Sequence, residues 1–246
     1  MKRVAVFCVS YMSDKERDIY LASIDNAIKV AADEVTVDVF VANNTAEDNP
    51  GYFGAVNKLM KQVNLSDYDY SIISNVDLTL EQDFFKKLAE YDCPKNIGWI
   101  APQIWSDLEK RDRNPARLVR PSLTKMRILK SFYQIPILDT IYHKTVYRRK
   151  KYYTKSAEGT IYAGHGSLII LTKNYFQKCG IIDYPVFLFC EELFLAENCR
   201  KAGLKVVYEP SIKVKDKEHV SIRKMSHKDY CSYNLEAMNY IISNFY

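Results

Sequence analysis

The sequence predicts an α/β fold, with a mainly parallel central sheet and helices on both of its faces. Short β-branched runs, "VAVFCVS", "VTVDVFVAN", "YDYSIISNVDL" and "IGWIAPQI", alternate with stretches of helical periodicity in the first hundred residues. The helical stretches are long enough to serve as crossovers, which parallel neighbouring strands require. A chain of 246 residues with 48% apolar and 26% charged side chains buries enough surface for one domain, expected here to span residues 1–246.

The elements follow in order. "VAVFCVS" is a first strand, and "KERDIYLASIDNAIKVA" after it carries Ile19, Leu21, Ile24, Ala27, Ile28 and Ala31 near helical spacing. "VTVDVFVAN" is a second strand, and "NPGYFGAVNKLMKQV" reads as a Gly-bearing loop entering a helix. "YDYSIISNVDL" is a third strand, "LEQDFFKKLAEY" a helix with Phe84, Phe85 and Leu88 on one side, and "IGWIAPQI" a fourth strand. This half is Rossmann-like. The second half is more β-rich: "GTIYAGHGSLIILTKNYFQKCG" runs into a short helix, the second part of "YPVFLFCEELFLAENCRKAG" is helical, and "LKVVYEP" is another strand. The closing "HKDYCSYNLEAMNYIISNF" has a helical stripe of Leu235, Met238, Ile242 and Phe245.

Composition excludes several classes. The apolar part of "MKRVAVFCVS" is too short for a signal peptide or a membrane span. Six widely spaced cysteines without a CxxC pair suit reduced core thiols, which points to a cytoplasmic protein rather than a disulfide or zinc scaffold. The net charge of +5 is local: residues 105–155 hold 14 Lys and Arg against 4 Asp and Glu, or +10, which leaves −5 for the rest. That distribution argues against a nucleic-acid-binding surface and for one basic, helical insertion at about 105–155 that meets something anionic.

Candidate chemistry sits where strands end. In "SIISNVDLTL", Asn75 and Asp77 lie at the carboxyl end of the third strand, where ligands bind in open α/β sheets. A carboxylate there suits a hard divalent cation that shares its shell with substrate phosphates, while the alternative is a cap for a helix starting near Thr79. Gly51 and Gly54 precede a helix in the loop after strand two, allowing close backbone approach, though GxGxxG is absent. In "FLFCEELFL", Glu191 and Glu192 stand among aromatic residues at a helix start. Burial there raises a carboxyl toward general-base work, and the alternative is that both merely complement the helix dipole.

Taken in order over nearly the whole chain, "VAVFCVSYMS", "FVANNTAEDNPGYFGAVNK", "YDYSIISNVDLTLEQDFFKKL", "GWIAPQI", "YAGHGSLIILTKNYFQKCGIIDYPVFLFCEELFLAENCRKAGLKVVYEP" and a following His219 resemble the family 2 glycosyltransferases of GT-A fold, especially the rhamnosyltransferase-like branch. "RNPARLVRPSLTKM" is similar to a basic segment of bacterial polysaccharide-assembly members. The resemblance implies a nucleotide-diphosphate sugar as donor, a saccharide acceptor that is often lipid-linked, inversion at the sugar, and Mg²⁺ or Mn²⁺ as cofactor. It further implies that Asp77, in the DxD-like "NVD", holds the metal with His219 near it. Ser10, Tyr11, Asn43 and Asn44 would meet the nucleotide's base and ribose, Gly54 and Asn57 match a "GxxxN" loop, and Asn75 stands beside Asp77 in the donor site. Of the acidic pair, the second member, Glu192, would be the base, with Glu191 next to it. The chain departs from the family at Asn75 for the first Asp, Asn43 for an Asp that binds the base, and Phe194 and Asn198 for an Asp and an Arg after the acidic pair.

The basic stretch is read two ways. Leu123, Met126, Leu129 and Tyr133 fall at helical spacing and are followed by basic residues and tyrosines, which suits peripheral contact with an anionic membrane surface, at the inner face of the plasma membrane. Alternatively, the same helices pack a homodimer. Two other functional classes stand beside the transferase: a non-catalytic nucleotide- or sugar-binding relative of a decayed transferase, and a nucleotidyltransferase, whose Gly-rich N-terminal loop is missing from "FCVSYMSDK".

Overall fold

The computed structural model describes residues 1–134, 158–217 and 225–246. A nine-stranded mixed sheet runs in the order β2-β1-β3-β8-β5-β9-β4, with β6 on β5 and β7 on β9. Its long pairings are parallel: β1 (Lys2–Tyr11) with β2 (Val35–Asn44) and β3 (Tyr70–Asn75), and β5 (Ile97–Ser106) with β9 (Lys205–Asp216). Short antiparallel pairings knit these blocks together, through β8 (Leu168–Thr172) between β3 and β5, and through β4 (Leu78–Leu80) and β7 (Gly159–Ile161) on β9 and β6 (Arg111–Asp112) on β5.

Strand alternation divides the core into two layers. On β1, Val4, Val6 and Cys8 face one layer, and Ala5, Phe7 and Val9 face the other. Helices α1 (Asp14–Ala31) and α3 (Phe84–Glu90) cover the first layer with Tyr20, Ile24, Ala27, Phe84, Phe85 and Leu88. The second is covered by α2 (Tyr52–Met60), α5 (Lys173–Cys179), α6 (Glu191–Lys201) and α7 (His227–Phe245). Both faces are thus sealed, which is why β1 and β3 read as near-continuous apolar runs.

Two helical stripes differ by a step from the sequence expectation. The face of α1 is Tyr20, Ser23, Ile24, Ala27 and Ala31, and Ile19 is exposed, because Tyr20 turns inward to donate its hydroxyl to Ser74 Oγ at 2.7 Å. On α7 the buried face is Cys231, Asn234, Ala237, Met238 and Ile241, with Leu235 only half-buried. Helix α4 (Leu123–Gln134) does form within the basic stretch, but its apolar stripe is spent inside the chain: Met126 is buried and Tyr133 meets Tyr230 of α7 edge-on. The remainder of the basic stretch, from 135, lies outside the described residues. Among the described residues no helix is long and apolar enough to cross a membrane, and none of the six cysteines is in a disulfide.

One polar centre fastens this end of the molecule. Glu197 of α6, fully buried, accepts from Arg120 Nε at 2.6 Å, Tyr162 Oη at 2.6 Å and Arg200 Nε at 2.8 Å. Arg120 also donates to the carbonyl of Phe245 at 2.7 Å and stacks on the ring of Tyr246. Burial alone would push this carboxyl up, but the hydrogen bonds from Arg120, Tyr162 and Arg200 outweigh it and hold it below the usual carboxylate range. A carboxyl lowered by folding contributes stability above its unfolded pKa, and that contribution is lost as pH falls through the folded value. Glu197→Ala should therefore cost roughly 2 kcal/mol at pH 7 in urea unfolding, and the gap to wild type should close as the pH is taken into the acid range.

Candidate active site

The carboxyl ends of β1, β2 and β3 lie side by side. In register, Ser10 stands beside Asn43 and Tyr11 beside Asn44 across the β1–β2 pair, and Val9 stands beside Asn75 across β1–β3. Four of the residues expected at a nucleotide pocket are thus brought together by strand pairing alone. Ser10 and Asn44 are buried, Tyr11 is half-buried and Asn43 is exposed. Asn43 Oδ1 accepts from Arg17 of α1 at 3.1 Å; since arginine only donates, the Asn43 amide nitrogen is the group left facing outward. Asn44 turns its amide into the following loop, donating to Asn49 Oδ1 at 3.0 Å, which also accepts the Gly51 N–H at 3.1 Å.

Asp77 does not cap a helix. Strand β3 ends at Asn75, Val76 and Asp77 form a bend, and Leu78–Leu80 is a strand; the next helix begins at Phe84 after Asp83. Half-buried in that bend, Asp77 accepts the Lys217 N–H on its carbonyl at 3.1 Å, so the end of β9 runs beside it. His219 lies outside the described residues. Among the described residues no three His, Cys, Asp or Glu side chains gather into a cage. A single oxygen-donating carboxylate, half-buried with its Oδ1 shielded from solvent, fits Mg²⁺ or Mn²⁺, cations that complete their shell with water and phosphate oxygens, and does not fit a closed structural site of several side chains.

Gly54 and Asn57 take different places from Gly51. Helix α2 starts at Tyr52, so Gly54 lies within it rather than before it, beside Pro50. The Asn57 amide donates to the carbonyl of Ile182, tying α2 to the loop after α5. Gly51 is the residue that the loop cannot replace: its φ is +80°, and a Cβ there would lie 2.1 Å from the Phe187 carbonyl oxygen.

The acidic pair opens α6 behind two left-handed residues, Phe189 (φ 75°) and Cys190 (φ 62°). Glu191 turns back: its Oε1 accepts the Phe189 N–H at 3.0 Å. Burial, and then the charge of Glu192, push the Glu191 carboxyl up to about 8, against the pull of the Phe189 and Glu191 backbone N–H groups. Glu192 turns outward to the 163–167 loop, where Gly166 N–H donates to its Oε1 at 3.1 Å. Phe194, in place of a polar residue, packs on Tyr184 with ring centroids 4.8 Å apart, and Asn198 donates to Tyr175 Oη.

The 163–167 loop joins the Asn75–Asp77 end to the Glu192 end. Arg117 and Ala163 exchange backbone hydrogen bonds, Asn114 Oδ1 accepts the His165 N–H at 2.7 Å, Tyr52 Oη donates to the Gly166 carbonyl at 3.1 Å, and the Ser167 carbonyl accepts the Asn75 N–H at 3.0 Å. Sequence reasoning placed no role on Tyr52, Asn114 or Gly166. The "GHG" spacing was a signal for the last, because a Cβ on Gly164 would lie 2.7 Å from Ala101 Cβ and one on Gly166 2.9 Å from Glu192 Oε1.

No family model matches the chain, and no curated protein matches it in sequence. Solved structures do match. A Drosophila β1,4-galactosyltransferase 7 mutant, determined with manganese, UDP-Gal and xylobiose, superposes with a TM-score of 0.51 at 13% identity, over 94% of this chain and 79% of that one. GalNAc-T7, determined with UDP, GalNAc and Mn²⁺, gives 0.53 at 12% identity over 90% of this chain and 45% of that one. Residues 1–349 of S. aureus TarS give 0.52 at 12% identity over 88% and 60%. At such identities the likeness is one of fold: the chain has the GT-A fold.

The Glu191 environment makes a prediction. A carboxyl raised by folding keeps in the folded state a proton that the unfolded chain has released, so stability falls as pH climbs from the ordinary value of 4.5 to about 8 and stays lower above it. Glu191→Gln should melt above wild type at pH 8.5, with the difference shrinking toward pH 5 in a series of thermal melts.

Proposed function

We propose that this chain is a GT-A glycosyltransferase that moves a sugar from a nucleoside-diphosphate donor to a saccharide acceptor, with inversion. One observation carries the reading. Ser10, Asn43, Asn75 and Asp77 lie at adjacent strand ends, and the 163–167 loop links that edge to Glu192 through its neighbouring residues Ser167, bonded to Asn75, and Gly166, bonded to Glu192.

In this reading the outward Asn43 amide and the end of β1 at Ser10 and Tyr11 receive the nucleoside. Asp77 holds Mg²⁺ or Mn²⁺ against the diphosphate, and the cation, when bound, supplies positive charge to the leaving nucleoside diphosphate. Burial and the neighbouring Glu192 raise the Glu191 carboxyl to about 8, which favours its protonated form at neutral pH and leaves Glu192 as the member of the pair that faces the loop. Gly166 N–H engages Oε1 of Glu192; Oε2 has no hydrogen bond among the described residues. Oε2 takes the acceptor's hydroxyl proton as the acceptor oxygen bonds to the anomeric carbon from the face opposite the nucleotide. The bond to the phosphate oxygen breaks, and the nucleoside diphosphate leaves with the electron pair. The rhamnosyltransferase branch, a lipid-linked acceptor in cell-surface polysaccharide synthesis, and contact of the 105–155 segment with an anionic membrane from the cytoplasmic side belong to the same reading. They rest on the resemblance and on the charge of that segment.

Two measurements test it. Calorimetric titration with UDP, dTDP, GDP and CDP, each with and without Mn²⁺, should show one nucleotide whose binding needs the metal and is lost in Asp77→Ala. Equal binding in the variant, or no binding by any of the four, removes the donor site. With that nucleotide's sugar as donor, Glu192→Gln should lower turnover by about 10² to 10⁴ while leaving nucleotide affinity within about twofold.

A further inference from the structure

Tyr52 is the first residue of α2, and the structure holds it there firmly. Gly51 before it can be nothing but glycine, because of its positive φ and the Phe187 carbonyl 2.1 Å from where a Cβ would stand. From this fixed start the phenol reaches 114 residues along the chain to donate to the Gly166 carbonyl at 3.1 Å. The same residue, Gly166, donates its N–H to Glu192 Oε1 at 3.1 Å, and a Cβ on it would stand 2.9 Å from that oxygen and push the carboxylate aside. Burial, then the charges of Glu191, Tyr20, Asp77 and Glu192, push the phenol well above its ordinary value. The hydroxyl therefore stands within electrostatic reach of both the Asp77 and the Glu191–Glu192 ends of the site, and stays a donor at every pH at which the protein would work.

We propose that Tyr52 is a positioning residue for Glu192: by fixing Gly166 through its carbonyl, it keeps the Gly166 N–H aimed at Oε1 and so reserves Oε2 for the acceptor hydroxyl. This rests on Glu192 being the base. The loop's other ties, at Arg117, Asn114 and Asn75 and between His165 and Ser167, hold its flanks, and among the described residues the Tyr52 hydroxyl is the one tie to Gly166 itself besides the carboxylate it serves. Removing the hydroxyl leaves the ring in place against Phe53, so the fold is kept while the aim of one N–H is loosened. Misplacement of a reacting group by about 1 Å is worth up to about 10² in rate.

The test follows release of nucleoside diphosphate from UDP-glucose, UDP-galactose, dTDP-rhamnose, GDP-mannose and a CDP-linked sugar, each with Mn²⁺ and with water as acceptor. It is paired with calorimetric binding of the corresponding nucleoside diphosphate and with a thermal melt. On the donor that wild type turns over, Tyr52→Phe should lower kcat about tenfold or more, with nucleotide affinity within about twofold and a melting temperature a few degrees lower at most. On a Glu192→Gln background the same change should cost nothing further, since no aimed carboxylate remains. A wild-type kcat in Tyr52→Phe, or an undiminished loss on the Glu192→Gln background, overturns the inference while leaving the base in place. Full activity of Glu192→Gln, or no turnover of any donor by wild type, overturns the reading on which it rests. Should Tyr52→Phe fail to fold, Tyr52→Met, whose unbranched apolar side chain fills the space without offering a donor to the Gly166 carbonyl, carries the same expectations.

Discussion

Asn75 closes one strand and Leu78 opens another, and the two strands belong to different halves of the sheet. β3 pairs with β1 and β8, whereas β4 pairs with the far end of β9, Leu78 opposite Asp216. Three residue steps span at most about 11 Å, so the sheet has to curl until the ends of β3 and β9 stand that close. The register shift between Pro102 and Gln103 opposite β9 supplies the bend. Asp77 has no choice of place: it occupies the crossing, at the open edge where three parallel strands end.

The same curl explains why glycine recurs around the site. Once β3 and α6 are drawn together, the loops between them are crowded: a Cβ on Gly51 would strike the Phe187 carbonyl, one on Gly164 would strike Ala101 and Trp99, and one on Gly166 would push against the Glu192 carboxylate. The 163–167 loop is bonded to Arg117, Asn114, Tyr52, Glu192 and Asn75, elements scattered from residue 52 to residue 192. Its geometry is therefore a property of the whole fold, and that is why its role cannot be read from a local motif.

The legible part of the sequence was whatever is repeated or buried. The β1 and β3 strands and the helical stretches between strands follow from period and order, whereas the grouping of Ser10 with Asn43 came only from the resemblance and their side-by-side register from the sheet. The insertion of β8 between β3 and β5 was not legible, because an apolar run such as "SLIILT" fits a parallel or an antiparallel neighbour equally well. Nor was the face of α1, where a buried Tyr20–Ser74 hydrogen bond outweighs the exposure of Ile19. Gly54 and Asn57 show the same limit: the motif was visible, yet the helix begins two residues earlier than the glycine suggested, and the Asn57 amide is engaged by Ile182. Tyr52 was hidden because a tyrosine among nineteen carries no signal until its partner is known.

Two adjacent glutamates in a partly buried turn would be an electrostatic burden if both were charged. Their directions resolve it. Glu191 faces inward, accepts the Phe189 N–H, and holds its proton because burial disfavours the ion. In doing so it closes the turn through Phe189 and Cys190, two successive non-glycine residues in the left-handed region, each of which costs about 1–2 kcal/mol. That turn is what delivers the next residue, Glu192, into the first turn of α6 with its carboxylate toward Gly166. The pair is thus divided by environment: one acid is buried and secures a strained turn, and the other is turned toward the 163–167 loop. Exchanging the two roles would require the strained turn to give up its buried acceptor, so the order of the pair is set by the backbone before any chemistry is asked of it.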